Sequence, residues 1–165
     1  MKVWDPIVRL LHWTLAALIV FDLVDDDGGY THRMVGYSAA AVVLLRLTWA
    51  VIARGHDGLV PSVPAALIYV RLMLRGRPPR TRGHDPLGLW MVWLLWMLVL
   101  LLAVTGWMSR LDAFWGDDTV NGAHAVLANL LMAAVLLHLL GVAVMSVLWK
   151  ENLPAAMITG VKRLD

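Results

Sequence analysis

HAVLANLLMAAVLLH, residues 124–138, is the stretch that decides the fold of this chain. It begins with His124, ends with His138 and has no charged residue between them. The apolar run continues to Leu148, so the stretch exceeds the roughly 20 residues that a helix needs to cross about 30 Å of hydrocarbon. The sequence therefore predicts a membrane-spanning helix that carries two histidines.

Three other stretches share this length and apolar character. Asp5-Pro6 and Asp85-Pro86 stand before two of them as an N-cap and first-turn pair. The N-terminal run lacks a small-residue cleavage site, which favours a retained signal anchor. We predict an all-α integral membrane four-helix bundle, a single domain over residues 1–165 with spans at 7–24, 33–53, 87–108 and 125–148.

The composition supports a membrane protein and excludes several kinds of chemistry. Hydrophobic residues make up 60% of the chain and charged residues 16%, against about 25% in a soluble domain. The absence of cysteine excludes iron–sulfur clusters, disulfides, thiol nucleophiles and covalently attached c-type haem. The basic residues lie between apolar runs, which favours an explanation by membrane topology over binding of nucleic acid.

The segment between spans two and three is too polar and too short to cross a membrane. Apolar residues at helical spacing from Ser62 to Arg75 predict a short helix that lies in the membrane interface. An irregular basic loop is the alternative.

Charge is distributed unequally between the two predicted faces. The face with both termini carries twelve basic and five acidic residues, a net charge of about +7. The other face carries two basic and seven acidic residues, a net charge of about −5. The positive-inside rule predicts that both termini are cytoplasmic and that the acidic face is periplasmic.

Four of the six histidines lie in or beside the predicted spans. His124 and His138 are 14 residues apart, so they share one face of a helix and lie about 21 Å apart along its axis. His32 has the depth of His124 near the periplasmic side, and His12 has the depth of His138 near the cytoplasm. A single such histidine is more often a hydrogen-bonded core residue, but the four together predict two stacked bis-imidazole sites.

Two imidazoles on facing helices are typical of haem iron. Zinc usually takes three or four protein ligands, and we expect no acid within the spans to complete such a set. Six-coordinate haem leaves no open position for oxygen, which favours electron transfer.

Further residues are candidates for holding these haems. Arg9 and Arg46 are candidate propionate partners near the cytoplasm, although Arg46 could instead reach the interface. Arg33 and Arg110 are the periplasmic candidates. Small residues that would let a porphyrin approach, or serve ordinary helix packing, are Gly36, Gly122, Ala128 and Gly141.

The chain also resembles the bacterial cytochrome b-561 family and the related b-type cytochrome subunit of membrane-bound nickel–iron hydrogenases. The matching motifs are VWDPIVRLLHW (3–13), HRMVGY (32–37), GHDPLG (83–88), HAVLANLL (124–131), LHLLG (137–141) and ENLPAAMITGVKR (151–163). The resemblance implies that His12, His32, His124 and His138 ligate two b haems. The family often has His-Glu where this chain has His124-Ala125.

The resemblance further implies electron exchange between membrane quinone (ubiquinone or menaquinone) and a periplasmic redox protein such as a c-type cytochrome. We place the quinone site on the cytoplasmic side, near Arg9, His12, Arg46 and His84. His84 is otherwise a loop residue before a helix start. These expectations place the chain in the bacterial inner membrane as a multi-pass protein in contact with lipid, with its oligomeric state open and no nucleic-acid partner.

Two other functions stay open at this point. One is superoxide oxidation at the outer haem coupled to quinone reduction, which the acidic outer loops disfavour. The other is a histidine-lined metal or proton transporter, which would be colourless.

Overall fold

The computed structural model describes residues 3–25, 27–53, 60–76, 79–81 and 83–162. Every regular element in these ranges is helical, and four helices are long and apolar enough to span a membrane. The predicted all-α membrane bundle is therefore confirmed. The long helices are α1 (Pro6–Val24), α2 (Tyr30–Ile52), α4 (Pro86–Met108) and α5 (Asp118–Leu148), and the short ones are α3 (Val63–Leu74) and α6 (Leu153–Thr159).

Aspartate side chains start the helices as the Asp-Pro pairs predict. The Asp5 carboxylate accepts a hydrogen bond from the backbone N–H of Ile7 at 2.7 Å. The Asp85 carboxylate accepts two, from Leu87 at 3.0 Å and Gly88 at 2.8 Å. These bonds satisfy amide groups that the first turn of a helix leaves without partners, so each start is fixed locally.

Helix α5 begins seven residues before the predicted span at residue 125. The Asp117 carboxylate accepts hydrogen bonds from Thr119 at 2.7 Å and Val120 at 3.1 Å, which caps the helix there. Hydropathy missed this start because the first turns are polar. Helix α2 also begins earlier than predicted, so both His32 and His124 lie inside helices.

The long helices pack in the order α1 on α2, α2 on α4, and α4 on α5. Val43 of α2 is fully buried at the centre of their contact. Ala39 and Ala40 beside it are small enough to let the neighbouring backbones approach. Large apolar side chains elsewhere on the four helices are exposed, so they contact lipid.

Helix α3 confirms the helix predicted between the second and third spans. The Ser62 hydroxyl caps it, accepting from the N–H of Ala65 at 3.4 Å. Tyr69 of α3 is buried against Met145 and Trp149 at the end of α5. The location of α3 in the membrane interface stays a prediction.

Both ends of the described chain meet at one end of the bundle, which we name the terminal end. The N–H of Val3 donates to the carbonyl of Gly160 at 2.8 Å, and Lys162 Nζ donates to the carbonyl of Thr81 at 3.0 Å. Arg80 forms a 3.4 Å ion pair with Glu151. We name the opposite end, where α1 joins α2 and α4 joins α5, the hairpin end.

The unequal charge distribution is only partly visible in the described residues. His56 and eight of the charged residues counted in the sequence lie outside the described ranges: Lys2, Asp26, Arg54, Asp57, Arg77, Arg82, Arg163 and Asp165.

Candidate functional site

Two histidines from different helices face each other at the hairpin end. The ring centres of His32 on α2 and His124 on α5 lie 6.3 Å apart, with their planes inclined by 72°. Two metal–nitrogen bonds of about 2 Å, plus about 1.1 Å from each bonding nitrogen to its ring centre, would separate two ring centres by about 6.2 Å. The observed separation therefore suits two imidazoles on opposite sides of one metal ion.

The contacts of Thr105, on α4, favour one tautomer of His124. The Thr105 hydroxyl donates its single hydrogen to the backbone, with the carbonyls of Leu101 and Leu102 at 3.0 and 3.2 Å. The same oxygen lies 2.8 Å from Nδ1 of His124 and so accepts a hydrogen bond from it. Nδ1 then carries the ring proton, and Nε2 keeps the lone pair that a metal needs.

His32 reaches the same tautomer through the backbone. Its Nδ1 lies 2.6 Å from the carbonyl oxygen of Asp25, which can only accept a hydrogen bond. Oδ1 of Asp22 lies 3.1 Å from the same nitrogen. Since the one hydrogen points to the carbonyl, the Asp22 contact is electrostatic and not a hydrogen bond.

Asp22 corrects one expectation from the sequence. We expected no acid within the spans near the histidines, yet Asp22 lies in the last turn of α1 and contacts His32. The predicted span 7–24 already contained Asp22, but its charge was counted with the acidic face and not considered as a neighbour of the histidines. The turn between α1 and α2 brings it back against the start of α2.

The second pair of histidines, His12 on α1 and His138 on α5, lies nearer the terminal end. His12 and His138 are close enough for the charge of one to act on the other. Both side chains are half-buried, and Nδ1 of His12 is buried without a hydrogen bond from the described residues. This is the pairing that the sequence predicted from the depths of the four histidines.

Each of these pairs offers two imidazoles as candidate ligands. Within the described ranges, no three His, Cys, Asp or Glu side chains are grouped so as to hold a metal ion by themselves. Two is the number of protein ligands that a six-coordinate porphyrin-bound iron takes, because the macrocycle fills the other four positions.

The comparison with protein families points to the same chemistry. The family model of prokaryotic cytochrome b561 matches residues 3–160. The chain belongs to this family. No curated protein matches the chain, and no solved structure does. This member of the cytochrome b561 family is therefore a multi-pass transmembrane b-type cytochrome of electron transfer.

Arg9 and Arg46, the candidate propionate partners near the terminal end, differ in their surroundings. Arg46 is buried, only 6% exposed, with its guanidinium 5.8 Å from the ring centre of Trp96 on α4. The guanidinium therefore packs against α4, and its contact with a propionate stays a prediction. Arg9 instead donates from Nη1 to the carbonyl of Ile158 in α6.

Arg33 and Arg110, the candidates at the hairpin end, make contacts close to them in sequence. Arg33 Nε donates to the carbonyl of Gly29 at 3.2 Å, and Arg110 lies 4.6 Å over the ring of Trp115. A contact with a propionate stays a prediction for both.

The four small residues have different neighbours. A Cβ on Gly36 would lie 3.3 Å from Oδ2 of Asp22, so this glycine accommodates the carboxylate beside His32. A Cβ on Gly122 or Gly141 would meet no described atom within 4 Å. Ala128, one turn after His124, is half-buried.

His84 lies at the terminal end against Trp4, with ring centres 4.8 Å apart in an edge-on arrangement. Trp4 and Arg9 both approach Gly160, so the N-terminal residues, the loop before α4 and the end of α6 meet there. Arg46 contacts Trp96 of α4, and a quinone site formed by Arg9, His12, Arg46 and His84 stays a prediction.

Sequence reasoning missed the roles of Thr105, Gly106 and Asp22. A Cβ on Gly106 would lie 3.3 Å from Cε1 of His124, so this glycine makes room for the ring. Their depth in the membrane could have revealed them, because all three lie near the ends of predicted spans, at the level of His32 and His124.

Proposed function

We propose that this chain is a transmembrane di-haem cytochrome that transfers electrons between the quinone pool and a periplasmic redox protein. The observation that carries the proposal is the 6.3 Å separation of the His32 and His124 rings, each with Nδ1 within hydrogen-bond distance of an oxygen, which favours Nε2 as the metal ligand. In the proposal this pair holds one haem b, and His12 with His138 holds the other, both without covalent attachment.

The side chains hold and insulate these sites and do no covalent chemistry. When bound, each haem would supply a one-electron couple, and two histidine ligands would leave no position for oxygen to bind. Thr105 and the Asp25 carbonyl orient the two imidazoles, and the apolar spans exclude water. The 14-residue spacing in α5 sets the two sites at different depths, as a path across the membrane requires.

The distribution of charge determines the orientation that we propose for the protein in the bacterial inner membrane. The terminal end, with its excess of basic residues, faces the cytoplasm by the positive-inside rule. We place exchangeable ubiquinone or menaquinone at this end, near Arg9, His12, Arg46 and His84. Trp4 against His84 and the buried Arg46 would provide an apolar wall and a cation there.

The hairpin end suits a basic periplasmic protein such as a c-type cytochrome. Its described acids include Asp112, Asp117 and Asp118, and the sequence gives this face a net charge of about −5. Opposite charges accelerate encounter and make the rate fall as salt screens them. An electron-transfer rate with a basic cytochrome that does not change with ionic strength would contradict this partner.

A visible spectrum of the purified protein tests the central claim. We expect a Soret band, an α band that grows on reduction with dithionite, and two haems per chain by the pyridine haemochrome method. A colourless protein would contradict the haem proposal and leave the histidine-lined transporter. One haem per chain would contradict the second site alone.

Superoxide oxidation is the competing activity. The Asp22 carboxylate beside His32 counts against it, because an anionic substrate would be repelled at that haem. Rapid mixing with superoxide should leave the oxidised haems unreduced, and their fast reduction would favour the competing activity.

A further inference from the structure

On helix α4, the consecutive residues Thr105 and Gly106 contact the ring of His124, which belongs to α5. The hydroxyl oxygen of Thr105 lies 2.8 Å from Nδ1 of His124, and a Cβ on Gly106 would come within 3.3 Å of its Cε1. One residue therefore holds an edge of the ring by a hydrogen bond, and the next leaves room for the ring at the helix surface.

The direction of the hydrogen bond gives this contact a chemical consequence. A hydroxyl has one hydrogen, and the backbone carbonyls of Leu101 and Leu102 lie where they can accept it. The oxygen is then left to accept from Nδ1–H of His124. A hydrogen-bond acceptor on Nδ1 increases the electron density at Nε2 and so strengthens the ligand toward the more positive state of a metal.

We propose that Thr105 is a positioning residue that fixes the tautomer and orientation of His124 and lowers the reduction potential of the haem at the hairpin end. This inference rests on the proposed function, because it assumes that His124 is a haem ligand. It concerns α4, which provides no ligand itself and to which neither the histidine spacing nor the family match assigns a role.

Three variants test the proposal. Thr105→Val keeps the volume of the side chain and removes the hydroxyl. Thr105→Ser keeps the hydroxyl and removes the methyl group. Thr48→Val is the matched control, because Thr48 also lies in a span and donates to the carbonyl four residues before it, that of Leu44, at 2.9 Å.

Redox titration by visible spectroscopy and electron paramagnetic resonance of the ferric protein provide readouts that do not depend on turnover. We expect Thr105→Val to raise the midpoint potential of one of the two haem components and to change the low-spin signal of that component alone. A tenfold loss of preference for ferric over ferrous iron corresponds to about 59 mV for one electron. Thr105→Ser and Thr48→Val should titrate like the wild type.

Several outcomes would overturn the proposal. An unchanged midpoint potential in Thr105→Val would mean that the hydroxyl has no effect on the haem. The Leu102 carbonyl, which also forms a hydrogen bond with His124, would then orient the ring alone. A Thr105→Ser variant that behaves like Thr105→Val would assign the effect to packing. Equal shifts of the midpoint potentials of both haems would show that the substitution acts on the whole protein and not through His124. A wild type without two haems would instead contradict the proposed function, so the two failures are distinguishable.

Discussion

Oδ1 of Asp22, in the last turn of α1, lies 3.1 Å from Nδ1 of His32 in α2. Gly36 leaves the room for this carboxylate, since a Cβ there would lie 3.3 Å from Oδ2. A negative charge beside a ligand stabilises the ferric state of the iron that it binds. The acid on α1 therefore acts on a histidine of α2 that the proposed function assigns to a haem.

Asp22→Asn should raise the midpoint potential of one haem and leave the other unchanged. A unit charge acting over about 8 Å at an effective dielectric of about 20 contributes about 2 kcal/mol. At about 59 mV for each 1.4 kcal/mol, the expected shift is on the order of 90 mV, measured by redox titration. Asp112→Asn, on the same end of the bundle, is the control, and an equal shift from it would contradict a local effect.

Substitution of the histidines should show which two share a haem. We expect His32→Ala and His124→Ala each to lose one haem, and the double variant to lose no more, because both ligands serve one iron. Combining His32→Ala with His12→Ala should lose both haems. Haem per chain, measured as the pyridine haemochrome, checks this. A double variant of His32 and His124 without any haem would contradict the pairing.

The Gly141→Ala variant tests whether Gly141 faces a haem or lipid. No described atom lies within 4 Å of the added methyl group, so the protein alone should gain about 0.5–1 kcal/mol of helix stability. If Gly141 faces a porphyrin, as we predict, the variant should bind less of the haem held by His12 and His138. Gly122→Ala should affect the other haem. A raised melting temperature with full haem content would instead place the glycine against lipid.

Asp117 makes the stability of the hairpin end depend on pH. Hydrogen bonds from the N–H groups of Val120 and Thr119 hold the pKa of Asp117 below its ordinary value of 3.8. A depressed pKa in the folded state stabilises the fold above pH 3.8, and this contribution is lost as the pH falls through the folded pKa. Asp117→Ala should therefore lower the melting temperature at pH 7, with the difference from wild type narrowing below pH 3.8.

The control for this prediction is Asp117→Asn, which keeps an oxygen that can accept the same hydrogen bonds. It should melt between the wild type and Asp117→Ala at pH 7, because it keeps the hydrogen bonds and loses the negative charge at the helix start. A melting difference for Asp117→Ala that is the same at pH 7 and pH 3 would contradict the role of the ionised cap.

The amino-acid sequence by itself determined the four membrane-spanning helices. Apolar runs of this length must cross the bilayer as helices, because only a helix satisfies its own backbone in hydrocarbon. Asp5 and Asp85 fixed two of the helix starts through bonds to residues two or three positions away. The depths of the four histidines also followed from counting along helices of constant rise.

The tertiary structure alone decided which side chains surround those histidines. Helices in lipid turn toward one another through packing and interhelical hydrogen bonds, which hydropathy does not encode. Thus the sequence could set His32 and His124 at one depth, but only the packing of α2, α4 and α5 set their rings 6.3 Å apart with Thr105 on Nδ1. The contact of Asp22 with His32 likewise needed the turn that folds α2 back onto α1.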